Sequence, residues 1–164
     1  MACKYDFFIA GRWRNHKAIN EVLQAVRASG KTAYCFIENS YEGEKIELRQ
    51  DDGIEASMQA TESLPINDPF MKQIFTKDIE AQKDSAALLL VFPAGLAAHM
   101  EAGISYGLGR PCYAIYQPEK TETLYNIFEE VFPDLSSLEG WLKLQVSSHL
   151  SKEHDETRRP LSNI

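Results

Sequence analysis

Glu101 is the residue of this chain best placed for covalent chemistry. It lies in the run LLLVFPAGLAAHMEAGISYGLGRPCYAI, where an apolar stretch is broken by Pro93, Ala94 and Gly95 and then followed by small residues. Such a run reads as a buried strand feeding a helix, with Glu101 in the first turns of that helix. The amino end of a helix carries partial positive charge, which favours the ionised carboxylate. A carboxylate held there is equipped to attack an electron-poor carbon or to stabilise a cationic transition state. Taken alone, a glutamate at such a position is more often an ordinary dipole-favoured helix residue.

A second cluster follows the first apolar run. Arg12, Arg14 and His16 stand beside Gly11 in an otherwise acidic chain, and an arginine fork binds phosphate through paired hydrogen bonds. The same charges are equally well a solvated helix start. His99 and Glu101 form an HxE, and Pro111 with Cys112 begins a PCxxC, the outline of a zinc deaminase. Ile115 occupies the place of the second cysteine, so no metal is expected, and His99 reads first as packing and second as a substrate contact. The Gly11 turn has neither the GxGxxG nor the GxxxxGKS spacing of dinucleotide and P-loop sites. Cys112 enters an apolar strand, where thiols are usually inert.

These residues need elements to hold them. Tyr5 to Ala10 is a compact apolar run closed by Gly11, and Ile19, Val22, Leu23 and Val26 then recur at helical spacing up to Gly30. Thr32 to Ile37 predicts a second strand, and 38–52 stays unassigned. Met58 to Leu64 predicts a helix, and Asn67, Asp68 and Pro69 start another that ends near Lys83. Ala86 to Phe92 predicts the central strand, Ala97 to Leu108 a helix stopped by Gly109 and Pro111, and Cys112 to Tyr116 a fourth strand. Glu122 to Phe132 and Leu135 to Leu150 read as mainly helical, with a short fifth strand near Val131 as the alternative. Strands alternating with helices imply an α/β fold: a parallel four- or five-stranded sheet covered on both faces, a three-layer sandwich. Ligands of such sheets bind beyond the carboxyl ends of the strands, so the loops after Ala10, Ile37, Phe92 and Tyr116 should line the site, bringing in Pro93 and Gly95.

Composition bounds the rest. The chain has 164 residues, 44% of them hydrophobic, with a net charge of -7, which fits one domain over 1–150 and a polar tail over 151–164. The acidic balance disfavours long nucleic acids and anionic membranes as partners. No apolar stretch of about 18 residues is present. Three scattered cysteines, Cys3, Cys35 and Cys112, read as reduced thiols of a cytoplasmic protein.

Over residues 5 to 128 the chain resembles the nucleoside 2-deoxyribosyltransferases. The resemblance rests on Glu101, Ala102, Gly103, Tyr106, Gly107, Leu108, Gly109, Arg110 and Pro111 after a strand ending in proline, on FFIAGRW, and on Asp78 ahead of the central strand. It implies a flavodoxin-like strand order 2-1-3-4-5 and an enzyme acting on a nucleoside or nucleotide without any cofactor. Glu101 would be the nucleophile, forming a covalent sugar ester that a second base or water resolves, with Asp78 assisting protonation of the base. Asn126 matches an asparagine donated by a neighbouring subunit, so the resemblance also implies a homo-oligomer. Arg12 and Arg14 would then meet a 5′-phosphate, as in the nucleotide hydrolase branch.

Two positions depart from the pattern. Phe7 stands where many members carry a tyrosine that orients the nucleophile, and Phe has no hydroxyl to donate. Gly95 stands where the transferases have an aspartate and the hydrolases a serine. Glu38 and Tyr106 are possible substitutes for the missing contacts and are equally well explained as surface and packing residues. The alternatives to the enzyme reading are a non-catalytic nucleotide sensor of the same fold, a TIR-like NAD-cleaving enzyme and an interaction module.

Overall fold

The computed structural model describes residues 3–39 and 53–156. Strand β1 (Tyr5–Gly11) is followed by a 3-10 turn and α1 (His16–Ala28), then β2 (Ala33–Cys35), α2 (Gly53–Glu62), α3 (Pro69–Lys83), β3 (Ser85–Val91), α4 (Leu96–Gly107), β4 (Cys112–Ile115), β5 (Phe128–Phe132) and α5 (Leu135–Glu156). The five strands form one sheet in the order β2-β1-β3-β4-β5, and every pairing is parallel. The strand order is the expected one.

Side chains alternate across a strand with a period of two, and this splits the core into two layers. Phe7, Ile9, Leu89 and Val91 pack with Ile19, Val22, Leu23 and Val26 of α1 and with Leu138 and Leu142 of α5. Phe8, Ala10, Leu88 and Leu90 face the other way, onto Ala81 of α3 and Ala98 and Ala102 of α4. The strand with apolar residues throughout is therefore the central one, buried on both faces. Asp68 caps α3 by accepting a hydrogen bond from Phe70 N–H at 2.8 Å, with Pro69 in the first turn.

Some segments depart from the sequence reading. Glu122 to Phe132 is not a helix: a 3-10 turn over Thr123–Ile127 leads into β5. Its FEEVF sequence suits a sheet edge, where Phe132 is buried and Glu129 and Glu130 face water. The second apolar run gives only a three-residue β2, after which Phe36–Glu38 turns into a 3-10 helix. Helix α2 lies several residues earlier than predicted, and α5 continues into the stretch read as a polar tail. The unassigned 40–52 and the end of that tail, 157–164, lie outside the described residues. Among the described residues no helix is long and apolar enough to cross a membrane.

Candidate active site

Helix α4 approaches the sheet through small side chains. Ala98, Ala102 and Ser105 are buried on its inner face, and Glu101 belongs to the same face by the three- and four-residue spacing of a helix. Its side chain is half-buried and is not turned out to solvent. Gln82 of α3, 1% exposed, donates from Nε2 to the Glu101 carbonyl at 3.2 Å and fastens the two helices at this point.

Burial pushes the Glu101 carboxyl up to about 8, and the carboxylate of Asp78 adds to the rise. The expectation of an ionised Glu101 stabilised by the helix dipole is thus corrected. Glu101 is the sixth residue of α4, one turn too far along for a dipole effect that fades within the first turn, and loss of water outweighs it. Asp78 is also raised, chiefly by burial, while a hydrogen bond from Tyr34 and the charge of Lys77 act in the opposite sense. Asp78 and Glu101 are therefore electrostatic neighbours, contributed by α3 and α4, that are costly to ionise together.

Tyr34 and Asn39 escaped the sequence reading. The Tyr34 hydroxyl donates to Asp78 Oδ1 at 2.7 Å, and Asn39 Nδ2 donates to the Tyr34 oxygen at 2.7 Å. Phe7, the position of the missing hydroxyl, lies in the other core layer, edge-on to Trp141 of α5 at 6.4 Å. On the face that carries Asp78, a phenol is supplied by β2 instead. The only signal for it in the sequence was a tyrosine in a β-rich run ending in asparagine.

The loops after β1 and β3 do come together. Asn15 Nδ2 donates to the Phe92 carbonyl at 3.1 Å, and a Cβ built on Gly95 would lie 3.4 Å from Arg12 Cβ. Pro93 is half-buried between them. Gly11 is needed for packing, because a Cβ there would sit 2.6 Å from Ile19 Cδ1. Arg12 is exposed. Arg14 is engaged: it pairs with Glu62 at 3.3 Å and lies over the Trp13 ring, whose Nε1–H donates to the same carboxylate at 2.9 Å. Half-buried His16 opens α1.

His99 is held at both nitrogens. Nδ1 is 2.7 Å from the Gly95 carbonyl and Nε2 is 2.9 Å from the Tyr125 hydroxyl. A carbonyl only accepts, so Nδ1 carries hydrogen, and in the neutral ring Nε2 accepts from Tyr125. The ring also stacks on Tyr125 at 5.7 Å, which is the packing role. Glu38 is bound by both its oxygens to Arg27 at 2.6 and 2.7 Å. Asn126 is exposed, donates to the Thr123 carbonyl at 2.8 Å, and lines an open cleft of about 540 Å³ with Tyr106, Arg110 and Phe128. Neither Glu101 nor Asp78 lines that cleft.

A five-stranded parallel sheet with helices on both faces defines an α/β protein, and its fold is nucleoside 2-deoxyribosyltransferase-like. Among solved structures the chain is similar to the 2-deoxyribosyltransferase of the psychrotolerant bacterium Bacillus psychrosaccharolyticus, with a TM-score of 0.60 over 81% of this chain and 89% of that one. Sequence identity is 17%, so the likeness is one of fold. No protein-family model and no curated protein sequence matches the chain.

Proposed function

We propose that this chain cleaves the N-glycosidic bond of a (deoxy)nucleoside or nucleotide, with Glu101 attacking C1′ and Asp78 assisting departure of the base. The sugar then passes from the Glu101 ester to a second base or to water. The observation that carries the reading is the pair of buried carboxyls on α3 and α4, both raised by loss of water and Glu101 further raised by Asp78, an arrangement that suits a double displacement: one group to bond the sugar and one to move a proton. The fold shared with a 2-deoxyribosyltransferase supports a nucleoside as the substrate class. Exposed Arg12, beside the loop after β3, is the residue for a 5′-phosphate.

The chain works, on this reading, as a cytoplasmic homo-oligomer in which Asn126 reaches a neighbour's site. Three free thiols support the compartment. The assembly is supported by Leu96, Met100, Ile104 and Leu108, 86%, 67%, 36% and 46% exposed at four-residue spacing along the outer side of α4, an apolar stripe that another chain would cover.

The deciding experiment monitors released base from deoxy- and ribonucleosides, their 5′-monophosphates and NAD. Wild type releases base from at least one, and Glu101→Gln loses at least about 10⁴-fold of that rate. Undiminished release by Glu101→Gln, or binding without release by wild type, overturns the proposal, and the second result would mark a nucleotide sensor.

A further inference from the structure

The Tyr34 hydroxyl has a fixed direction. Its ring is 7% exposed, stacked on Phe8 at 5.2 Å and 24° and tilted against Tyr5 at 5.7 Å, so packing of β1 against β2 sets where the oxygen lies. Asn39, itself 7% exposed, donates into that oxygen. A phenol has one hydrogen, and with Asn39 supplying a donor from one side, Tyr34 spends its own on Asp78 Oδ1. Oδ1 is thereby committed as an acceptor, and Oδ2 is the Asp78 oxygen left to carry a transferable proton.

We infer that Tyr34, held by Asn39, is a positioning residue that confines the transferable proton of Asp78 to Oδ2 and stabilises the carboxylate that remains once this proton has gone to the departing base. The inference rests on the function proposed above. In the first half-reaction the Asp78 Oδ2 proton moves to a nitrogen of the base, the electron pair of the C1′–N bond leaves with the base, and a Glu101 carboxylate oxygen bonds C1′. In the second, the attacking base or water returns a proton to Oδ2 as the ester bond breaks, and the enzyme is restored. Negative charge develops on Asp78 in the first transition state, and the hydrogen bond from Tyr34 strengthens as it does so.

Tyr34→Phe keeps the stacked ring and removes only the hydroxyl. With a natural donor nucleoside we expect kcat to fall about 10–100-fold with KM nearly unchanged. With the 4-nitrophenyl glycoside of the same sugar, whose phenolate leaves without a proton, the fall should stay below about 3-fold. In an Asp78→Asn background the same substitution should add nothing, and Asn39→Ala should reproduce the leaving-group dependence more weakly. Equal losses on both donors, or losses additive with Asp78→Asn, mean that Tyr34 acts through packing and overturn the inference while leaving the function standing. A wild-type chain inert towards both donors overturns the two together.

Discussion

The loop after β1 and the contact between α3 and α4 both carry charged side chains, and the fold treats those charges in opposite ways. In the loop, Arg14 is neutralised at the surface by Glu62 and laid over Trp13. Where α3 meets α4, Asp78 and Glu101 are withdrawn from water as electrostatic neighbours, and both carboxyls are raised. A surface ion pair of this kind contributes little free energy, whereas two buried like charges hold a proton that neither would keep in solution. Charge density in a sequence is thus a poor guide to reactivity, and desolvation is the better one.

The sharpest test of that contrast is the pH dependence of kcat/KM, which reports groups of the free enzyme. Glu101 must be ionised to attack while Asp78 keeps its proton, so only the singly protonated pair is active, and kcat/KM should be bell-shaped with its upper limb near 8, falling about tenfold per pH unit beyond it. A profile without a limb near 8 would place the Glu101 carboxyl in water and erase the difference between the two regions. Next in size, Arg12→Ala should weaken binding of a 5′-monophosphate about 10–100-fold, with no loss for the unphosphorylated nucleoside. Arg14→Ala should leave both affinities unchanged, and calorimetric titration of the two variants separates the roles. Gly11→Ala should destabilise the fold by about 1–3 kcal/mol in denaturant unfolding, because Ile19 is fully buried against it; an unchanged midpoint would show that α1 can move away.

The smallest effect concerns stability. A carboxyl raised in the folded state from 4.5 to about 8 is more protonated folded than unfolded between those values, so it contributes stability that is present below 4.5 and lost as pH rises towards 8. Glu101→Gln removes that loss. It should therefore raise the unfolding free energy at pH 8 by at least about 1 kcal/mol, with no gain near pH 4. A variant less stable than wild type at pH 8 would mean that the ionised carboxylate is well solvated after all.

Much of this architecture was readable from residues alone. Asp68 and Pro69 mark the start of α3, Gly11 closes β1, and the proline after Phe92 separates β3 from α4, because caps and breakers act locally. The edge strand β5 is legible only as the alternative near Val131, because Glu129 and Glu130 interrupt its apolar residues and only their place at the rim explains the charges. Glu101 and Asp78 stood out by type and by resemblance. Their raised carboxyls, and the phenol that holds one of them, did not: Tyr34 and Asp78 are 44 residues apart, and a contact of that span exists only once β2 lies beside β1 and α3 crosses above. The counter-charge of Arg14 is equally hidden in the sequence, because Glu62 sits in a helix whose position follows from tertiary packing.

The two rims of the sheet carry a consequence for how copies of this chain can meet. One rim is a strand of three residues that bends away at once into a tight turn, and the other presents adjacent glutamates. Among the described residues neither rim offers a long uncharged template on which a further strand could zip, which disfavours fibre growth through backbone pairing. Contact between copies would then fall to side chains on the helices, such as the exposed Leu96, Met100 and Ile104 of α4.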